Sequence, residues 1–339
     1  MLLFIDGFDS YGETNDASVA PTGIVSRKYS GIYAATVKEG RTAGKSLDIT
    51  TGSIIKIFST VDATVTLGVA INIPSIANSA MFIALYDNST LGVYLSVSPT
   101  GVLTASYNGG SVSSSAGVFL AGNWYHVELQ CTCDASAGSI LVRLNGRTVI
   151  DESDLNTKIG SNSYHNGFAL VRGGAYGNDI YCDDLYFLDS TGSANNDLLG
   201  DMKVETIRPS GAGGSSQWTP LSGDNYTNVS EVQCDDDTSY VECGTSGYED
   251  LYAYGNLSSI TGVIAGVQIN TVAKATDASS VAIKFPCKSS TTDDGGGSDM
   301  TLSAGSYLAF NRIVENDPAT SAAWLIAAVN DAQFGVKVG

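Results

Sequence analysis

The stretch NWYHVELQCTCDASAGSILVRLNGRTVI, residues 123–150, constrains the fold more than any other part of the chain. Apolar and polar residues alternate along it with a period of two, which places successive side chains on opposite faces of a β-strand. The DASAG segment interrupts the alternation as a loop would, and an Asn-Gly pair, a strong signal for a tight turn, follows the second run. The stretch therefore predicts a β-hairpin followed by a tight turn.

Alternating runs of the same kind recur along the chain, as in IIKIFST, ATVTLGVAINIP, AMFIALYDNSTLGVYLSVSPTGVLTASYNGG and NDIYCDDLYFLDS. Charged residues make up only 15% of the sequence, whereas Gly (38) and Tyr (17) are plentiful. This composition favours strands and turns over helices, because few Lys, Glu or Arg residues are available for solvated helix faces. We therefore expect an all-β protein.

A small, polar segment, TGSANNDLLGD, separates these runs from a loop-rich second half. We expect two domains, a β-sandwich over residues 1–197 and a second, smaller β-sandwich over residues 198–339. Near the end of the chain, AAWLIAAVNDA is compatible with a short helix or with part of a final pair of strands.

The net charge of −18 argues against several partners. An acidic surface repels phosphate backbones, and the 17 Lys and Arg residues are scattered, so nucleic-acid binding is not expected. No apolar run approaches the roughly 20 residues that span a membrane. The opening MLLFIDGFDSYG resembles a first strand rather than a secretory signal, so we expect synthesis in a cytoplasm.

The six cysteines are too sparse for a disulfide scaffold, and Cys-x-Cys occurs once without a second pair to complete a zinc site. Strand alternation places Cys131 in one row with Val127 and Leu129, which predicts a core position. Cys133 follows at the end of the strand, where we expect it to be accessible.

Alternation in the closing strand assigns Cys182 to the outer face, with Asp184 and Tyr186. Cys234 and Cys243 bracket DDDTSYVE and could meet across a hairpin, and Cys287 lies in the same half of the chain. Our hypothesis is that Cys182 and some of these second-domain thiols form cross-links late, in an oxidising medium. The candidate cross-link residues are Cys133, Cys182, Cys234, Cys243 and Cys287.

Three segments of the first domain resemble the concanavalin A-like jelly-roll superfamily, in particular its laminin-G and pentraxin members. They are NWYHVEL, VRLNGRTVI and DIYCDDLYFLD. The resemblance covers roughly residues 1–195 and implies that the third segment is a closing strand that pairs near the N-terminal LLFIDGFDSY.

Nearly the whole chain also resembles accessory structural proteins of tailed bacteriophages. The similarity lies in the strand that ends in DGFD, in the GDMKVETIRPSGAGGSSQWTPLSGDNYTNVSE segment and in DPATSAAWLIAAVNDAQFGVKV. It implies a protein on the virion exterior, in a capsid decoration, collar or tail. Its partners would be capsid, neck or tail subunits, and we expect a homo-oligomer or a symmetric array.

Catalysis is not expected from the acidic and histidine residues. A retaining glycosidase needs two carboxylates about 5 Å apart across a cleft. Asp151–Asp154 are expected in a loop, and adjacent Asp183 and Asp184 are expected on opposite faces of a strand. The only histidines, His126 and His165, lie in no triad motif.

Tyrosine-rich loops suit either protein contact or binding of a host surface glycan, the main alternative to a structural role; a depolymerase is a further rival. No cofactor is expected. Calcium stays open, since Asp235–Asp237, Asp293, Asp294 and Asp299 supply oxygens without the alternation of a calcium loop. The candidate contact or glycan residues are Tyr164, His165, Asn166, Tyr176, Asn178, Tyr252 and Tyr254.

Overall fold

A computed structural model describes residues 1–12, 27–32, 35–49, 52–59, 61–172, 179–258, 260–277 and 281–339. The chain divides into two units, Met1–Val204 (unit 1) and Glu205–Gly339 (unit 2). The boundary expected after residue 197 falls inside unit 1. Residues 198–204, which we call the strap, belong to unit 1 because the backbone N–H groups of Gly200 and Val204 donate to carboxylates on its sheet.

The described part of unit 1 is built from strands joined by turns and loops. In chain order the strands are β1 Leu2–Asp6, β2 Gly31–Ile32, β3 Ala35–Glu39, β4 Lys45–Ile49, β5 Ser53–Ile57, β6 Thr64–Asn72, β7 Ala80–Asp87, β8 Thr90–Val97, β9 Leu103–Tyr107, β10 Gly110–Ser113, β11 Trp124–Thr132, β12 Gly138–Leu144, β13 Arg147–Leu155, β14 Gly167–Val171 and β15 Ile180–Asp189.

These strands form two antiparallel sheets. Sheet A has the order β13-β12-β11-β6-β15-β4-β3, with β1 also paired to β15, and sheet B has the order β10-β9-β8-β7-β14-β5-β2. Unit 1 is therefore the concanavalin A-like jelly-roll sandwich that the sequence predicts. The pairing of β1 with β15, in which Phe4 lies opposite Phe187, confirms the closing-strand expectation.

The inner faces of the two sheets enclose one apolar core. From β6, alternate residues Val65, Leu67, Val69 and Ile71 are fully buried in it. Phe168 on β14 adds aromatic packing from sheet B. Full burial of one such side chain contributes about 1.5–3 kcal/mol, so this core is the main source of stability for unit 1.

A β-bulge in β15 changes which residues face the core. Asp183 lies opposite Ala70 but Tyr186 lies opposite Gly68, so two residues of β15 oppose one of β6. Asp184 adopts a left-handed φ of 49° there. Strict alternation fails across such an extra residue. As a result Cys182 lies in the core cluster with Leu185, and its assignment to the outer face was wrong.

Strand β13 forms one edge of sheet A and extends further than expected. Asp151 pairs with Leu141 and Glu152 with Ile140, so the acidic IDESD segment is part of the strand and not of a loop. Asp151, Glu152 and Asp154 are exposed. This edge of the sandwich therefore carries negative charge.

Unit 2 is the smaller of the two, and its regular structure, among the described residues, also consists mainly of strands. They are β16 Pro209–Ser216, β17 Thr219–Pro220, β18 Val241–Glu242, β19 Glu249–Tyr254, β20 Val267–Ala273, β21 Ala282–Lys284, β22 Cys287–Ser289, β23 Thr292–Asp293, β24 Met300–Thr301, β25 Leu308–Val314 and β26 Gln333–Val338, with a 3₁₀ helix at Asn225–Asn228 and helix α1 at Ile326–Asp331.

The main sheet of unit 2 has the order β16-β19-β26-β21-β24, with β22 also paired to β26 and β23 to β22; β17–β18 and β20–β25 form separate pairs. Trp324, Phe334 and Phe285 form much of the core between the main sheet and the β20–β25 pair. AAWLIAAVNDA contains α1 and leads into β26. Among the described residues there is no helix with the length and apolarity needed to cross a membrane.

Candidate functional site

A cleft of about 450 Å³ opens in unit 1 between the turn that joins β12 to β13 and the loop after β10. Its volume lies within the range of small-molecule sites. It is lined by Ser115, Ala116, Gly117, Val118, Tyr125, Leu144, Asn145, Arg147 and Val149.

The walls of the cleft are fixed by contacts within unit 1. The ring of Tyr125 packs on Phe119, with 4.5 Å between ring centroids, and the backbone N–H of Leu120 donates to the Tyr125 hydroxyl at 3.2 Å. Asn145 and Gly146 have φ of 48° and 78°, which is the tight Asn-Gly turn that the sequence predicts. The cleft is thus preformed.

Arg147 gives the cleft its charge. The residue is exposed, and its guanidinium makes no ion pair or hydrogen bond to any residue that the structure describes. The Asn145 side-chain oxygen already accepts the backbone N–H of His126 at 2.7 Å, which leaves the amide NH₂ as a donor. An aromatic ring, an amide and an unpaired guanidinium therefore line one small cleft, a set that suits a polar ligand with a flat apolar face.

A second polar cluster lies on the outer face of sheet A, beneath the strap. Glu128 accepts the Tyr186 hydroxyl at 2.6 Å and the backbone N–H of Gly200 at 2.8 Å. Asp184 accepts the backbone N–H of Val204 at 2.8 Å and is ion-paired with Arg41 Nε at 3.0 Å. Because the strap covers them, these groups brace the sheet and do not face a cleft.

Asp183 and His126 also belong to this cluster, because Asp183 accepts the backbone N–H of Arg41 at 2.7 Å and the His126 ring stacks on Tyr186. Burial shifts their pKa values in opposite directions. The pKa of Asp183 is raised to about 8 by burial and by the neighbouring Asp184 charge. The pKa of His126 is lowered to about 4 by burial, so its ring is neutral at pH 7. Both Asp183 and Asp184 are buried here, because the bulge removes the alternation that would have separated them.

The candidate loop residues 164–166 are only partly available. Tyr164 is half-buried. His165 is buried, with Nε2 3.1 Å from the Thr157 carbonyl oxygen, and Asn166 is buried and donates to the Phe58 carbonyl at 2.7 Å. His165 and Asn166 therefore latch this loop onto the sandwich, and their assignment as contact or glycan residues was wrong.

The tyrosines of unit 2 lie in a strand and not in a loop. Tyr252 is buried in β19 and donates to Asp250 at 3.0 Å, while Tyr254 ends the same strand and packs edge-on against Phe334. Neither forms a loop platform. Tyr176 and Asn178 lie outside the described residues.

The cysteines divide by burial. Cys131 is fully buried, as the alternation predicts, and Cys287 is equally buried. Cys133 was expected to be accessible but is 3% exposed, because its N–H pairs with Ala63 O and the following segment closes over the strand end.

The other two second-domain cysteines are half-buried. Cys243 is a free thiol, and Cys234 Sγ donates to Asp236 at 3.4 Å. Late cross-linking stays a prediction for these two residues. The buried positions of Cys133, Cys182 and Cys287 do not suit it.

The acidic loops of unit 2 are committed to internal contacts. Asp294 forms a bidentate ion pair with Arg312 at 2.6 and 3.0 Å, and Asp237 binds Lys274 at 2.6 Å. Among the residues that the structure describes, no group of three His, Cys, Asp or Glu side chains could hold a metal ion.

Comparison with known proteins gives distant structural similarity only. No family model matches the chain, and no curated protein matches it. A sialidase is similar over 45% of this chain and 16% of its own length, at 12% identity and a TM-score of 0.34.

Two further solved structures are similar to about half of the chain. The alginate lyase Aly36B is 14% identical with a TM-score of 0.39, over 55% of this chain and 96% of the lyase. The binding domain of Paraclostridial Mosquitocidal Protein 1 is 14% identical with a TM-score of 0.38, over 55% of this chain and 48% of the solved chain. The matched region thus covers between 16% and 96% of the length of these three solved structures.

Sequence reasoning missed the cleft around Tyr125, Asn145 and Arg147. The Asn-Gly turn with an arginine directly after it was visible, but the loop at residues 115–118 that forms the opposite wall is far away in sequence. Only the topology brings the two together.

Proposed function

We propose that the chain is a non-enzymatic structural protein on the exterior of a tailed-bacteriophage particle and that it works through protein–protein contacts. The resemblance of its N-terminal strand, strap and C-terminal segment to phage accessory proteins supports this assignment. So does the internal use of the buried carboxylates Glu128 and Asp184, which hold the strap on sheet A instead of lining a cleft.

The observation that carries the proposal is an exposed apolar pair on unit 2. Val263 and Leu325 are 76% and 71% exposed. They flank the bridged residues Ile264 and Trp324, whose antiparallel pairing places Val263 and Leu325 opposite each other. We propose this exposed pair as the apolar part of the contact with a partner protein.

The first test is the composition of the particle. Phage particles are purified from bacteria infected with the phage whose genome encodes this chain. We expect quantitative mass spectrometry to find the chain in these particles in a fixed ratio to the major capsid protein. Its absence from particles that assemble normally would exclude the virion role.

The second test addresses the contact surface. A Val263→Asp, Leu325→Asp double variant is expected to remain folded but to be lost from particles, because charge replaces the apolar contact. The matched control is Thr261→Asp, which adds charge at a nearby exposed polar residue. Equal incorporation of both variants would show that the apolar pair is not the contact.

The cleft of unit 1 favours a second candidate function, binding of a host surface glycan. Sugars present apolar ring faces and polar edges, which match Tyr125 and the Arg147–Asn145 pair. A glycan array should give signals that Arg147→Gln removes and that Tyr164→Ala, a change outside the cleft, retains. An array without any signal would leave the cleft without this role.

A further inference from the structure

A buried lysine and a buried aspartate meet in unit 1, apart from the cleft and the strap. Asp6 ends strand β1 and is 4% exposed, and Lys28 is 7% exposed. Lys28 Nζ lies 3.1 Å from Asp6 Oδ2. The two residues are far apart in sequence, so a bond between them would close a chain segment.

The two oxygens of Asp6 have different surroundings. Oδ1 accepts the backbone N–H of Phe8 at 3.0 Å. Oδ2 accepts the hydroxyls of Tyr11 and Tyr29, the second at 2.8 Å, in addition to its contact with Lys28. One oxygen is therefore held by a backbone donor, and the other is surrounded by groups that can deliver protons.

Aromatic rings enclose the pair. Lys28 Nζ lies 5.4 Å from the centroid of Phe4 and 5.7 Å from that of Tyr11. A second lysine, Lys56, lies over Phe4 at 5.1 Å and donates to the Lys28 carbonyl at 2.6 Å. Burial and the Lys28 charge lower the pKa of Lys56 to about 8, which is the behaviour of an amine held away from water.

We propose that Lys28 and Asp6 join covalently, through an isopeptide bond between Lys28 Nζ and the Asp6 side-chain carbonyl carbon. The inference does not depend on the proposed function. It assigns a self-catalysed modification site to the N-terminal strand of unit 1.

The reaction balances without a co-reactant. The Lys28 ammonium passes one proton to Asp6 Oδ2, which leaves a neutral amine beside a carboxylic acid. The amine nitrogen attacks the carbonyl carbon, the C–N bond forms, and Oδ1 carries the developing negative charge beside the Phe8 N–H. A second nitrogen proton then moves to Oδ2 through the tyrosine hydroxyls, the C–Oδ2 bond breaks, and one water leaves.

Two physical features favour this step. The packed site holds the reacting groups in contact, which replaces the entropic cost of a bimolecular encounter. The product is a neutral amide, so the reaction removes two charges whose burial is expensive. Because the aromatic cage excludes water, it also opposes hydrolysis of the bond.

Intact mass spectrometry of the denatured, reduced chain tests the proposal. We expect the wild-type chain to be lighter than its sequence mass by one water, and Lys28→Arg, which cannot form the bond, to lack this loss. Trypsin should then release residues 1–27 and 28–38 as one linked species, since cleavage after Arg27 leaves the side-chain bond intact.

Other outcomes would overturn the proposal. A wild-type chain at its full sequence mass has no such bond. A water loss that persists in Lys28→Arg reports another reaction, such as cyclisation of the Asp6-Gly7 backbone. A loss that persists in Lys28→Arg but vanishes in Lys56→Met would place the bond on Lys56.

Discussion

Phe187 lies in the aromatic core of unit 1 and contacts two other aromatic rings. Its ring stacks on Phe58 with 5.0 Å between centroids and packs on Phe168 at 5.3 Å. Phe187→Ala would remove a fully buried ring and leave a cavity, so we expect the free energy of unfolding of unit 1 to fall by about 3–5 kcal/mol. Chemical denaturation measures this loss, and native-state hydrogen exchange of the core amides of unit 1 provides a second measurement.

Leu120→Ala is the control for that prediction. Leu120 is 55% exposed, so its truncation should change the free energy of unfolding by no more than about 0.5 kcal/mol. A cost for Leu120→Ala equal to that of Phe187→Ala would contradict the assignment of the core.

Thiol reactivity should follow burial. With iodoacetamide at pH 8, native Cys234 and Cys243 are expected to react, whereas Cys131, Cys133, Cys182 and Cys287 should react only after unfolding. Burial raises the pKa of Cys133 to about 11 and that of Cys287 to about 12, so both remain protonated thiols at that pH. Peptide mapping of the alkylated chain identifies the sites, and rapid labelling of native Cys182 would contradict the structure.

Single residues were predictable from the sequence only where alternation is unbroken. Cys131 follows Val127 and Leu129 along regular β11, so its burial could be predicted. Cys182 precedes a bulge that no local signal announces, and its face was therefore assigned wrongly. His126 is buried on the opposite face of β11 because the strap covers it, and the strap is remote in sequence.

The strap and the strand beneath it form a pH-sensitive element. In an unfolded chain the pKa of Asp183 returns to about 3.8, far below its folded value of about 8. The folded state therefore binds more protons between these values, and stability falls as the pH rises. His126 acts in the opposite direction between about pH 4 and 6.5, where protonation favours the unfolded chain.

The interval from pH 6.5 to 8 isolates the effect of Asp183 from that of His126. Over it we expect the free energy of unfolding of the wild-type chain to fall with rising pH relative to Asp183→Asn, by on the order of 1 kcal/mol per pH unit. Urea denaturation of both proteins across this interval measures the difference. Parallel profiles would show that Asp183 ionises normally in the folded state.

At the scale of elements, strands were more predictable than their limits. Hairpins such as β11–β12 and the Asn-Gly turn depend on local alternation and turn chemistry, so they could be read directly. The extension of β13 through IDESD could not, because acidic residues resemble a loop unless one knows that the strand lies at a sheet edge. The cleft and the strap depend on long-range contacts and had no local signal.

Among the described residues, each unit contains its own main apolar core. One is enclosed by the sheets of unit 1 and the other lies in unit 2 around Trp324. We expect calorimetry of the full chain to resolve two unfolding transitions. Phe187→Ala should lower only one of them, by about 2–4 °C for each kcal/mol lost, and an equal shift of both would contradict independent cores.

The negative charge on edge strand β13 affects how copies of this protein associate at high concentration. An open sheet edge offers unpaired backbone groups to any neighbouring strand, and negative side chains along it repel an identical edge. At high local concentration, this repulsion would keep copies of the protein from pairing edge to edge along β13. Neutralising Asp151, Glu152 and Asp154 would therefore convert a repelling seam into a site of filament growth.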